Sequence, residues 1–218
     1  RYTPFYTENS SPKKISIKTE MGGNSAILLI DQGTFTYERN ASQKILSTIL
    51  KEAFFSELRS KQQTGYLVHA KGTEAKGHLL QYFIVQSTTH YPEELLARYE
   101  LFLEDYNRSI SETITRERFE NVKASLITNY KIPTENLSSY AHSQFELAFT
   151  YGGEFDRKDK IINALNALEY ETFIKESKQF ISRDNTKRLA ILVEGSKLDS
   201  KAFSYTETSA KDLTAARK

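Results

Sequence analysis

A β-hairpin predicted over residues 65–87 is the feature that most constrains how this chain can fold. Two segments rich in aromatic and β-branched residues, GYLVHAKG (65–72) and HLLQYFIVQS (78–87), flank a short turn that contains Lys, Glu, Ala and Gly. Such a pattern is typical of two adjacent antiparallel strands. Apolar runs and alternation predict further extended segments over 14–20, 24–33 and 186–195.

Helical periodicity accounts for most of the remaining chain. Apolar residues recur at helical spacing over 38–58, directly before the hairpin. After Thr89, apolar faces predict helices over 91–110, 115–130, 137–151, 157–166 and 169–182. Pro92 suits the first turn of the first of these helices, and Thr115 suits the N-cap of the second.

The order of these elements is strands, helix, hairpin, helix cluster, strand, without strict alternation. We therefore predict an α+β fold in which a mixed, largely antiparallel sheet is covered on one face by helices. We expect one domain over 1–205, in which the helix over 115–130 buries Phe119, Val122, Leu126 and Ile127, and a flexible tail over 206–218.

Composition excludes several classes of function. Of the 218 residues 39% are hydrophobic and 27% charged, which is close to the average globular protein. The net charge is +2 and the two signs are interspersed, so no nucleic-acid partner is expected. The longest aliphatic run, AILLI (26–30), is too short to span a membrane. The start, RYTPFYTENS, lacks the features of a signal peptide and suggests a fragment of a longer protein.

No metal ligand is assigned in this chain. Cysteine is absent, which excludes disulfides and thiolate sites. The segment HYPEE (90–94) approaches the His-x-x-Glu-His zinc motif, but its last position is Glu94 and Pro92 keeps His90 at or before the helix start. We interpret this segment as a helix N-terminus with favourable acidic residues.

The other histidines form no ligand set either. His69 and His78 are predicted to lie near each other across the hairpin, but no third ligand accompanies them, and a solvent-facing pair is the favoured interpretation. His142 lies alone in a predicted helix. A phosphate-binding loop with its lysine and a G-x-S-x-G elbow are both missing from the sequence. Taken by itself, the chain contains no complete active site.

One polar junction carries a possible functional pair. In FFSELRSKQQTGYLV (54–68), Arg59 and Tyr66 stand seven positions apart between a helix and a strand. The residues alone allow a simple turn, in which Gly65 permits the bend and Tyr66 packs as the first strand residue. They also allow a pair of side chains presented for binding.

This stretch resembles the FxxLRTKEQLGY segment in the C-terminal half of the insulinase/pitrilysin family of zinc peptidases. FIVQS (83–87), HY (90–91), ITRERFENVKASL (114–126), KIPTENLSSYA (131–141) and FDR (155–157) follow in the family's order, so the resemblance covers at least 24–195. Ser60, Gln62 and Thr64 depart mildly from the common pattern.

The resemblance implies a role for each member of the pair. In this family the N-terminal half carries the zinc, and the C-terminal half contributes an arginine and a tyrosine from the turn motif, here Arg59 for substrate binding and Tyr66 for catalysis. The expected partners are a peptide substrate and the N-terminal half of the same polypeptide, and zinc is expected only in that missing half. The isolated fragment could form a homodimer.

Two matters stay open at this point. The same fold also serves as a non-catalytic structural or assembly domain, which is the alternative function. The resemblance is compatible with either the bacterial periplasm or the cytoplasm.

Overall fold

The computed structural model describes residues 11–134 and 136–196, in which five strands form one sheet. In chain order the strands are β1 (Lys13–Gly22), β2 (Asn24–Thr34), β3 (Leu67–Ala75), β4 (His78–Ser87) and β5 (Arg188–Ser196). Their order in the sheet is β1-β5-β2-β4-β3. The β1–β5 pair is parallel and the other pairs are antiparallel. The predicted boundary at 205 and the tail over 206–218 lie outside the described residues.

Six α-helices accompany the sheet in the described part of the chain. They are α1 (Tyr37–Phe54), α2 (Pro92–Thr113), α3 (Arg116–Lys131), α4 (Leu137–Phe149), α5 (Arg157–Ala167) and α6 (Tyr170–Ile181). The helix predicted over 38–58 differs in one respect, because after α1 the chain continues as a π-helical turn, Phe55–Lys61. The predicted α+β class with a mixed, largely antiparallel sheet is confirmed.

The hairpin register follows from its turn. Ala75 pairs with His78, so only Lys76 and Gly77 form the loop, and both have positive φ, at 51° and 76°. Two-residue turns of this kind match the twist of antiparallel strands. They also fix which residues face each other along the whole ladder.

The core lies between one face of the sheet and the helices. Alternate residues of β4 are buried, and the apolar stripe predicted for α2 is buried along its length: Leu95, Tyr99, Phe102, Leu103, Tyr106 and Ile110. On α3 only Phe119 is buried, whereas Val122, Leu126 and Ile127 are half-buried, so that part of the prediction is wrong. The helix presents its second half to the edge of the core.

Phe54 is the residue through which the core positions the end of α1. Its ring lies 5.1 Å from that of Phe83, 5.3 Å from Tyr99 and 5.5 Å from Phe102, measured between centroids. Tyr99 in turn donates a hydrogen bond to the Ala26 carbonyl at 2.9 Å, and burial raises the pKa of its phenol. Aromatic contacts of this geometry add to the burial energy of the rings. These contacts therefore position the last residue of α1, directly before the π-helical turn begins.

The opposite face of the sheet is apolar and less covered. Register places Ile15 beside Ile191, Ile17 beside Val193 and Ile27 beside Ile84 on that face. Ile15 and Ile17 are 42% and 46% exposed in the described part of the chain.

Candidate functional site

The junction between α1 and β3 is tied together by its own backbone. In the π-helical turn, the Gln62 N–H donates to the Glu57 carbonyl at 3.0 Å, and Gln63 has a φ of 51°. Thr64 is fully buried, and both its N–H and its hydroxyl donate to the Leu58 carbonyl, at 3.0 and 2.9 Å. Threonine at this position, where leucine is commoner in the resembling motif, thus adds a second bond that closes the turn.

Gly65 is required by its contact with β4. A Cβ placed on Gly65 would lie 2.0 Å from the Gln86 carbonyl oxygen, closer than any side chain tolerates. The Gly65 carbonyl accepts a hydrogen bond from Arg59 Nη1 at 2.5 Å. The structure thereby brings the guanidinium of Arg59 to the residue that directly precedes Tyr66.

Tyr66 differs from the simple-turn interpretation. It precedes β3, which begins at Leu67, and its side chain is 69% exposed, so it does not pack as the first strand residue. Arg59 is exposed as well. The two candidate side chains therefore project into solvent from a rigid backbone.

A polar chain connects the turn to α2. Arg98 Nη1 donates to Gln62 Oε1 at 2.7 Å, and Gln62 Nε2 donates to Glu57 Oε1 at 3.0 Å. Lys61 donates to the other Glu57 oxygen at 2.9 Å. The bond from Gln62, followed by that from Lys61, lowers the pKa of Glu57. An amide suits position 62 because it both accepts from Arg98 and donates to Glu57, which a carboxylate does not do.

Sequence reasoning missed Arg98, which contacts the turn from 36 positions away. The sequence shows that Gln62 stands where glutamate is commoner in the motif. It does not show that Arg98 is the hydrogen-bond partner of Gln62. Only the packing of α2 beside the junction brings the two side chains together.

His90 lies where the sequence placed it, at a helix N-terminus. Pro92 is at the start of α2, and the Tyr91 N–H donates to Glu94 Oε2 at 3.0 Å. The His90 ring contacts the Thr89 hydroxyl at 2.9 Å between Nδ1 and Oγ1. Within residues 11–134 and 136–196, no group of three or more His, Asp or Glu side chains is placed to hold a metal ion.

The predicted proximity of His69 and His78 is wrong. His69 pairs with Ile84, whereas His78 pairs with Ala75 at the other end of the hairpin. His78 Nδ1 instead lies 3.1 Å from the buried Asp31 Oδ2. Burial, followed by nearby lysines, lowers the pKa of His69. His142 is exposed on α4.

None of the described helices is both long and apolar enough to cross a membrane.

Comparison with known proteins places this arrangement in a family. The family described as "PQQ synthase PqqF-like, C-terminal lobe domain 4" matches residues 45–145, which include the whole junction. Protease 3 of Escherichia coli O6:H1 is 28% identical over 162 residues, covering 72% of this chain and 17% of that enzyme. The insulin-degrading enzyme of Drosophila melanogaster is 28% identical over 186 residues, covering 84% of this chain and 18% of that enzyme.

Solved structures show the same fold. The crystal structure of pitrilysin superposes with a TM-score of 0.72 at 21% identity, over 91% of this chain and 21% of that one. A protease from Helicobacter pylori gives 0.68 at 14% identity, over 88% of this chain and 47% of that one. The chain thus spans less than a fifth of the length of the sequence relatives named above. The C-terminal-lobe match, the sequence relatives and the shared fold agree, and the chain is a C-terminal domain of the insulinase/pitrilysin family.

Proposed function

We propose that this chain is the substrate-binding, chamber-forming C-terminal part of a zinc-dependent oligopeptidase. In this proposal Arg59 binds the peptide and Tyr66 acts at the reaction centre, while the zinc site belongs to an N-terminal half of the same polypeptide. The observation that carries the proposal is the pair itself: two exposed side chains held beside Gly65, which contacts β4 and accepts a hydrogen bond from Arg59 in the π-helical turn.

Tyr66 suits stabilisation of an oxyanion. Zinc, when bound in the other half, activates water for attack on a peptide carbonyl. Negative charge then develops on the carbonyl oxygen, and a phenol O–H aimed at that oxygen stabilises it. One such donor contributes about 2.7–4 kcal/mol in acyl-transfer sites. Tyr66 is 69% exposed, so burying its ring in this domain is not the reason for its presence.

Arg59 suits binding of the substrate backbone. The guanidinium stays charged at every relevant pH and carries five N–H donors in a fixed plane. One nitrogen is held on the Gly65 carbonyl, which orients the plane. The remaining donors face solvent and are free to meet carbonyl oxygens of an extended peptide.

The test compares peptide hydrolysis by the complete zinc-loaded polypeptide with that of its Tyr66→Phe variant. We expect kcat/KM to fall about 100-fold or more, because the loss of one oxyanion donor costs that much, with the melting temperature unchanged. Tyr140→Phe is the matched control, since Tyr140 is also exposed, at 52%, and lies on α4. The control should retain full activity.

Two results would contradict the proposal. Equal activity of the parent and Tyr66→Phe would remove Tyr66 from the reaction centre. A parent polypeptide that hydrolyses no peptide with zinc present would favour the structural or assembly role.

A further inference from the structure

Helix α4 is unusual among the described helices because it buries none of its residues in the described part of the chain. Its sequence, LSSYAHSQFELAF, contains one carboxylate, Glu146, one histidine, and neither lysine nor arginine. A helix on the surface of a globular protein normally turns a charged face to water. The exposed side of α4 lacks that face.

The apolar residues of α4 form a row. Leu137, Ala141, Phe145 and Phe149 follow one another at intervals of four residues, and we call this row the α4 ridge. Leu137, Phe145 and Phe149 are 81%, 60% and 75% exposed, and the two phenylalanine rings lie 4.4 Å apart. Rows spaced by four residues are the ridges that fit into grooves between side chains of another helix. Phe155, 60% exposed, adds an apolar side chain after the helix.

Both ends of α4 are capped by local hydrogen bonds. The Asn136 side chain accepts from the Ser139 N–H at 2.8 Å and caps the first turn. After the helix, the Gly153 N–H returns to the Leu147 carbonyl at 2.9 Å, with Gly152 and Gly153 in the left-handed region. Both glycines permit a conformation that closes the helix end.

A buried arginine then ties this end to the domain. Arg157 donates to Glu74 at 2.5 Å and to Glu154 at 3.0 Å, and its guanidinium lies 3.8 Å from the centre of the Tyr151 ring. The segment that follows α4 is therefore joined to β3 through Glu74, while α4 itself buries none of its residues against the described part of the structure.

The ridge is separate from the Arg59–Tyr66 pair. Arg157 anchors α4 near Glu74, at the end of β3, whereas Tyr66 immediately precedes the start of that strand. At about 3.3 Å per residue along the strand, Tyr66 and Glu74 are about 26 Å apart. A partner on the ridge therefore does not need to contact the candidate catalytic side chains.

We propose that the α4 ridge is the docking surface for another domain of the same polypeptide, through an uncharged helical groove on that domain. The proposal rests on the part of the proposed function that places this chain in a longer polypeptide. In the relatives, more than four-fifths of the chain lies beyond the matched segment, and the Helicobacter pylori protease of the same fold is about twice as long as the matched region. Further domains are thus the expected neighbours of this one.

Size favours a tethered domain over a second copy. Stable interfaces between separate proteins engage about 20–30 residues on each side. The ridge belongs to a helix of 13 residues, which is too few. A tether raises the effective concentration of the partner to about the millimolar range, so a small apolar ridge then suffices.

The test measures amide hydrogen exchange of residues 137–149 in the complete polypeptide and in the 218-residue chain. We expect at least about tenfold slower exchange of these amides in the complete polypeptide, because docking adds protection to the helix. Phe145→Glu should return the exchange in the complete polypeptide to the rate of the isolated chain. Leu101→Glu is the matched control, since Leu101 is an equally exposed apolar residue, at 60%, on α2.

Two results would overturn the inference. Equal exchange rates of 137–149 in the two proteins would mean that no domain docks on the ridge. Sedimentation that shows a dimer of the 218-residue chain, abolished by Phe145→Glu, would make a second copy the occupant. Protection of the ridge in a polypeptide without peptidase activity would support docking and contradict only the proposed function.

Discussion

At the scale of single residues, Gly65 decides whether the candidate pair is presented at all. Its missing side chain allows the junction to reach the backbone of β4, and its carbonyl holds the Arg59 guanidinium. Thr64 secures the same turn from inside the protein through two bonds to the Leu58 carbonyl. The buried Thr64 and the half-buried Gly65 thus position the exposed side chains of the candidate pair.

We predict that Gly65→Ala destabilises the chain by about 1–3 kcal/mol, because the new methyl group overlaps the Gln86 carbonyl and forces the backbone apart. Urea unfolding followed by circular dichroism measures the change. Ser60→Ala, an exposed position in the same turn, is the control and should change stability by less than about 0.5 kcal/mol. Similar stabilities of Gly65→Ala and the parent would show that the junction can move away from β4.

At the scale of elements, the segment between α4 and α5 is held by charge. Lys160 donates to Glu154 at 2.8 Å, and Arg157 donates to the same carboxylate at 3.0 Å. These bonds, that from Lys160 above all, lower the pKa of Glu154 from 4.5 to about 2. The carboxylate thus joins the segment that follows α4 to the start of α5.

The lowered pKa of Glu154 predicts a pH-dependent stability. A carboxyl with a folded-state pKa below its unfolded value stabilises the fold above the unfolded value, and the effect is lost as pH falls towards the folded value. We expect the parent to be more stable than Glu154→Gln at neutral pH, with the difference shrinking between pH 4.5 and about 2. Urea midpoints across this range measure it, with the exposed Glu112→Gln as control. A difference independent of pH would contradict the ionic origin of the stabilisation.

At the scale of the whole molecule, no group of side chains in the described residues is placed to hold a metal ion, and the proposed function assigns the zinc to another part of the polypeptide. We predict that zinc added to the 218-residue chain leaves its melting temperature equal to that in EDTA, because zinc sites need three or four protein ligands. The complete polypeptide should melt at a higher temperature with zinc than in EDTA, since a ligand that binds only the folded state stabilises it. Zinc stabilisation of the chain alone would reveal a metal site within it.

Local pattern in the sequence was enough to determine the class of fold and the order of its elements. The strand β4 and the apolar stripe of α2 were predicted correctly because residue type and periodicity are properties of neighbouring residues. The N-cap at Thr115 and the start of α2 at Pro92 were predicted for the same reason. Arg59 and Tyr66 were identified as candidates from the motif, whereas their roles stay proposals.

Only the tertiary structure decided how distant residues meet. The two-residue turn of the hairpin separates His69 from His78, the packing of α2 brings Arg98 to Gln62, and the buried Arg157 joins the segment after α4 to Glu74 on β3. Strand register, helix placement and the burial of an ion pair depend on contacts between segments far apart in sequence. Periodicity within one segment reports which face is buried, but the partner of that face is set by the packing of the whole chain.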